Sequence, residues 1–110
     1  CNGELYNHQD LQTEYEVPSQ SGSDCEVLCN LHNKLNDPVK TAALLDGVFA
    51  CVVWNTETNS GWVGRDPLGV RAMYYSNNNG TLVFASELKA LNGYENVVCK
   101  ILSHINLLVL

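Results

Sequence analysis

The sequence predicts an α+β fold, and three observations carry that reading. Val27, Leu28, Leu31 and Leu35 recur on one face of a stretch that begins near Ser23, which predicts an amphipathic helix. From Val48 onward the pattern changes to short apolar runs separated by turn residues, which predicts strands. The length of 110 residues suits one domain with a single modest core.

Taken in order, the chain opens with Cys1-Asn2, read as the end of a strand, and Asn2-Gly3 is itself a turn dipeptide. His8 to about Tyr15 predicts a short helix, and Tyr15-Glu16-Val17 a brief strand or extended segment ending at Pro18. Ser19 to Gly22 is a loop. Ser23 and Glu26 have the spacing of a capping box at the start of the main helix, which Asn36-Asp37-Pro38 ends. A second short helix spans Val39 to Leu45, and Asp46-Gly47 breaks it. Val48–Trp54 is a continuous apolar run, expected to be a strand buried on both faces. Gly61–Arg65, Val70–Tyr75 and Thr81–Ala85 predict three more strands, the last two joined by a tight turn at Asn77–Gly80. Short connections predict one antiparallel meander. Ser86–Leu91 predicts a short helix capped by Ser86. The apolar residues of 92–110 follow no clean period.

Composition narrows the partners. Six Lys+Arg against twelve Asp+Glu give a formal net charge of -6. Such a balance disfavours nucleic acid and anionic membrane. No segment approaches the ~20 apolar residues of a membrane span. The five cysteines, Cys1, Cys25, Cys29, Cys51 and Cys99, have no regular spacing and no CxxC pair. That argues against a disulfide framework and against zinc. Reduced thiols in a cytoplasmic protein are expected, most of them buried as small hydrophobes. Asn79-Gly80-Thr81 matches a glycosylation acceptor but reads better as the hairpin turn.

Asn2-Gly3-Glu4 admits a chemical reading beside the plain turn. A Gly lets another molecule approach its N–H closely. An Asn side chain adds a second neutral donor, and two donors aimed at one point can hold an oxyanion. Glu4 could hold a substrate ammonium group. Ser21-Gly22-Ser23-Asp24 is a loop that delivers a second acid to a helix start. His8 and His32 lack metal-like partners and suit surface or helix-terminal roles. Arg65 and Asp66 suit buried polar contacts between strand and turn. Trp54 and Trp62 suit core or cross-strand packing.

Three signals occur together and in order: Asn2–His8 (NGELYNH), Ser21–Glu26 (SGSDCE) and Leu45–Ala50 (LDGVFA), the last followed by Gly64–Arg71 (GRDPLGVR) and Phe84–Leu91. Together they resemble the glutaminase domain of glutamine-hydrolysing asparagine synthetases, which are class II glutamine amidotransferases. The resemblance covers residues 1–91 and leaves 92–110 as a divergent tail. It implies a partial α/β/β/α sandwich of the N-terminal nucleophile hydrolase type. It implies glutamine as substrate, cleaved by a cysteine thiolate attacking the side-chain amide. Asn2 and Gly3 correspond to the oxyanion donors of the catalytic step. Glu4 and Asp24 correspond to the pair of acids that hold the α-amino group. Without the resemblance, Glu4 reads as a solvated turn acid and Asp24 as an acid favoured at a helix start.

The sequence also departs from that family. The nucleophile, the small apolar strand after it and the Arg that holds the substrate carboxylate do not appear in these residues. Cys1 takes the place of an ordinary strand residue just before the NGE run. The expectation is an internal fragment that does not hydrolyse glutamine alone. No cofactor is expected in these residues. ATP and Mg²⁺ are expected in a synthetase domain of the same full-length enzyme, which would convert aspartate to asparagine. Two alternatives remain: the glutaminase domain of another class II amidotransferase, or a non-catalytic module that has lost the nucleophile.

Overall fold

The computed structural model describes residues 1–98 and 107–110, and these form an α+β domain with two antiparallel sheets. The first sheet has the order β1-β2-β3-β7, built from Asn2–Leu5, Gly47–Asn55, Ser60–Arg65 and Leu107–Val109. The second has the order β5-β4-β6, from Thr81–Ala85, Tyr74–Asn78 and Val97–Val98. Three helices, α1 (His8–Glu14), α2 (Glu26–Leu35) and α3 (Pro38–Leu44), intervene between β1 and β2.

The core lies between helices and the first sheet. Phe49, Cys51 and Val53 alternate along β2, as the two-residue period of a strand requires, and face one side together with Trp62 and Leu5. Leu11 of α1 and Val27, Leu28 and Leu31 of α2 close over them. Local chemistry fixes the helix ends. Glu16 takes the left-handed conformation (φ 48°), its N–H bonds the Thr13 carbonyl and the Val17 N–H bonds the Gln12 carbonyl. This is a Schellman stop for α1, and it turns Val17 back onto the core beside Leu11. Asp37 caps α3 by accepting from Val39 and Lys40, with Pro38 at the first helical position.

Several expectations are corrected. Tyr15–Val17 is not a strand, because the Schellman turn occupies it. The Ser23–Glu26 capping box does not form: Cys25 takes the cap position without a side-chain bond, and the Glu26 carboxylate reaches back to Gln20 and Ser21 instead. Residues 88–91 form a 3₁₀ turn that Ser86 does not cap. Asn2-Gly3 lies inside β1 rather than in a turn. The predicted meander splits into two sheets, and the third strand starts at Tyr74, not Val70. The apolar run on β2 is not buried on both faces. Val52 and Trp54 are 40% and 49% exposed on the side away from the helices. There β5 stands off from β2 across a cavity of about 400 Å³ lined by Val52, Trp54, Leu82 and Phe84. Trp54 and Trp62 therefore lie on opposite faces and do not pack together. His32 does sit in the last turn of α2, but it is buried edge-on against Trp62, with ring centroids 6.1 Å apart. Of the described cysteines only Cys51 is buried, while Cys1 and Cys29 are exposed. Cys99 lies outside the described residues.

The split between sheets originates at Asp66. This buried carboxylate accepts from the backbone N–H groups of Phe49, Val70 and Arg71 at 3.3, 2.9 and 3.2 Å. Arg65 bonds the carbonyls of Arg71 and Gly69 in the same loop. Residues 66–71 are thereby folded against β2 and cannot extend as a strand. The tight turn at Asn79-Gly80, with φ of 51° and 86°, then joins β4 to β5. Burial opposes charge on Asp66, yet its N–H donors hold it below the ordinary carboxylate value. The stability it confers is therefore present above the unfolded Asp value of ~3.9 and is lost as pH falls through the lower folded value. Asp66→Asn replaces one acceptor oxygen by an amide facing N–H donors. It is expected to cost about 1–3 kcal/mol, read as a lower urea midpoint at neutral pH.

Candidate functional site

The site is built on β1, which among the described residues is an edge strand of its sheet. This strand pairs with β2 in the register Asn2↔Ala50, Gly3↔Phe49, Glu4↔Val48 and Leu5↔Gly47. The Leu5 N–H does not bond β2. It points outward and donates to Asp24 Oδ2 at 2.7 Å. Donor direction along a strand repeats every second residue, so the Gly3 N–H faces the same open edge. The two N–H groups lie about 6.8 Å apart along the strand, comparable with an extended glutamine side chain. Gly3 is required by its neighbour as much as by any ligand. A Cβ there would lie 2.1 Å from the Val48 carbonyl oxygen and 2.6 Å from Phe49 Cα. Phe49 is itself fixed from the far side, since it exchanges bonds with Asp66 through both its N–H and its C=O.

The side chains of Asn2 and Glu4 share the face of β1 opposite Leu5, as strand alternation demands. Both are exposed. Beside Asn2 a cavity of about 250 Å³ opens between the sheets, lined by Cys1, Asn2, Ala50, Val52, Met73 and Phe84 among others. Among the described residues no ion pair or side-chain hydrogen bond engages Glu4. Asp24 is half-buried and sits at the turn into α2. Of the four predicted site residues, Asn2, Gly3 and Glu4 are thus consecutive on one strand. Asp24 arrives from another element and docks on the fourth residue of that same strand.

The strand is also clamped at its far end. Asn7 donates to the Leu44 carbonyl at 2.8 Å and accepts from the Asp46 N–H at 3.0 Å. The Tyr6 N–H bonds the Asp46 carbonyl at 2.8 Å. This accounts for Asn7, the second Asn of the NGELYNH run, as a structural residue. Cys25 was not singled out from sequence, yet its thiol lies 3.9 Å from Asp24 Oδ2. Burial and the neighbouring Asp24 carboxylate push that thiol up, and burial pushes Cys51 up to about 12. Neither provides a thiolate near neutral pH. Among the described residues no group of three or more His, Cys, Asp or Glu is arranged to hold a metal ion, and no helix is long and apolar enough to cross a membrane.

A family model described as a glutamine amidotransferase domain matches residues 1–107. The chain belongs to the glutamine amidotransferase domain family. Its relatives narrow the branch. It is 40% identical over 94 residues to a probable glutamine-hydrolysing asparagine synthetase of Acanthamoeba polyphaga mimivirus, covering 84% of this chain and 17% of that protein. It is 38% identical over 93 residues to asparagine synthetase 1 of Arabidopsis thaliana, covering 83% of this chain and 16% of the relative. It is 41% identical over 96 residues to asparagine synthetase B of Escherichia coli, covering 82% and 16%. This amidotransferase segment is therefore homologous to the glutaminase part of asparagine synthetases. It spans about a sixth of the length of the relatives it matches (their remaining parts have no counterpart in these residues).

Proposed function

We propose that residues 1–91 form the glutamine-holding part of a glutaminase site, within a partial α/β/β/α sandwich of the N-terminal nucleophile hydrolase type, with 92–110 as a divergent tail. The Asn2 amide and the Gly3 N–H hold the oxyanion that develops when the side-chain amide of glutamine is attacked. Glu4 and Asp24 hold its α-ammonium group, a charge that would be costly to bury unpaired. The observation that carries this reading is the shared open edge of β1. There the Gly3 N–H and the Leu5 N–H that holds the Asp24 carboxylate face one side, about 6.8 Å apart along the strand. The chemistry of the relatives extends the proposal. Ammonia released here would serve a synthetase domain of the same full-length, cytoplasmic enzyme. That domain would use ATP and Mg²⁺ to turn aspartate into asparagine.

Cys1 is assigned no nucleophilic role. By the resemblance Cys1 stands just before the NGE run, where the family has an ordinary strand residue, and it is exposed immediately before β1. The purified 110-residue chain is accordingly expected to release no glutamate from glutamine. A coupled glutamate assay checks this. Release that disappears in Cys1→Ala would make Cys1 the nucleophile and overturn the assignment.

A further inference from the structure

We infer that Glu26 is a positioning residue for glutamine binding, acting by fixing the loop that presents Asp24. The inference rests on the role given to Asp24 above.

The loop from Ser19 to Asp24 has no regular structure, and Gly22 within it adopts a left-handed φ of 72° with open space around its Cα. Ser19 to Ser23 are all exposed, so packing does little to fix the approach to Asp24. The Glu26 carboxylate supplies what packing does not. Its oxygens accept from the Gln20 N–H at 2.9 and 3.0 Å, from the Ser21 N–H at 2.9 Å and from the Ser21 hydroxyl at 2.8 Å. The same hydroxyl accepts from the Ser23 N–H at 3.2 Å, which carries the constraint to the residue before Asp24. One turn further along α2, Asn30 donates to the Pro18 carbonyl at 2.7 Å and ties down the entry to the loop.

The result is a loop gathered around one charged acceptor, with Asp24 emerging at its end. Bonds to an ionised acceptor are the stronger kind. The Ser21 N–H, the Ser21 hydroxyl and the Gln20 N–H hold the Glu26 carboxyl below the ordinary range, so it stays ionised in its clasp. A helix-capping role for Glu26 would direct its side chain to the cap residue, but it is turned onto the preceding loop instead.

Removing the clasp leaves Asp24 in the chain but lets its loop sample other conformations. Apparent affinity falls in proportion to the fraction of loops still in place. If Glu26→Ala leaves the loop ordered about a tenth to a third of the time, KM for glutamine rises about three- to tenfold, with kcat within about twofold. Glu26→Gln keeps one carbonyl acceptor and is expected to fall between Glu26→Ala and the parent protein. In an Asp24→Asn background the added Glu26→Ala change is expected to raise KM by less than about twofold, since its effect runs through the lost carboxylate.

The experiment is a double-mutant cycle in the full-length enzyme carrying these residues, read as glutamine KM and kcat. Strong non-additivity with recovery in Glu26→Gln supports the inference. If Asp24→Asn alone leaves KM unchanged, the Asp24 assignment itself is wrong. If Asp24→Asn raises KM while Glu26→Ala does not, or the two changes simply multiply, the Asp24 assignment stands and the role of Glu26 is overturned. A fall in kcat at unchanged KM in both Glu26 variants also overturns it, since that reports general damage.

Discussion

Asn2→Ala in a full-length enzyme carrying these residues is expected to lower kcat for glutamine about a hundredfold or more, with a smaller effect on KM. The size follows from what an oxyanion donor does. In the ground state the amide oxygen of glutamine is neutral and binds a donor weakly. Negative charge gathers on it only as the carbon is attacked, so the bond strengthens where the barrier lies. Removing one such donor costs about 2.7–4 kcal/mol in comparable sites. Gly3 offers no substitution of equal clarity. Its N–H belongs to the backbone, and any side chain there would collide with Val48 and Phe49 before the chemistry could be read. Asn2 is the cleaner probe because its side chain is exposed and contributes little to the core. Under the proposed coupling to a synthetase domain, asparagine synthesis from free ammonia bypasses glutamine and is expected to continue. Steady-state kinetics with both nitrogen sources check the prediction. Loss of the ammonia-dependent rate, or an unchanged kcat with glutamine, would remove Asn2 from this role.

Why some of this was legible in the sequence and some was not follows from where the determining forces act. The face of α2 was legible because Val27, Leu28 and Leu31 answer to a single burial direction, and the stop at Asn36-Asp37-Pro38 is local chemistry. The tight turn at Asn79-Gly80 was legible for the same reason. The separation into two sheets was not, since it depends on Asp66 catching the Phe49 N–H seventeen residues back. Val70–Tyr75 has a strand's composition, but the Asp66 carboxylate a few residues upstream takes the Val70 and Arg71 N–H groups and competes with strand pairing there. Exposure of Val52 and Trp54 was hidden likewise, because an apolar run does not state how closely a second sheet approaches. At the site, Asn2, Gly3 and Glu4 came from one contiguous motif. Asp24 was visible as an acid at a helix start, but its ligand role came only through the resemblance, and its docking on Leu5 joins residues nineteen apart. Glu26 was visible as an acid at a helix start. The capping rule gave it a partner at the cap, and competition from the free N–H groups of Gln20 and Ser21 moved it elsewhere.

Asp24→Asn is expected to raise glutamine KM with little change in kcat, for a total loss of about tenfold to a hundredfold in kcat/KM. The α-ammonium group lies at the opposite end of glutamine from the reacting amide. Its contacts are made before the transition state and kept through it, so losing one weakens binding uniformly. A hydrogen bond to a charged group contributes roughly 1.5–3 kcal/mol, which sets that range. The choice of Asn rather than Ala comes from the geometry. Asp24 Oδ2 accepts from the Leu5 N–H at 2.7 Å, and an Asn carbonyl oxygen can accept the same bond. The loop stays docked on β1 while the negative charge is lost, so the measured effect belongs to the ligand and not to the fold. Glu4 remains as the second carboxylate and limits the damage, which is why the expected loss is below that of Asn2→Ala in kcat. Replacing both acids should therefore cost more than either alone. An unchanged glutamine KM in Asp24→Asn, or an equal loss of the ammonia-dependent reaction, would show that this carboxylate serves β1 alone.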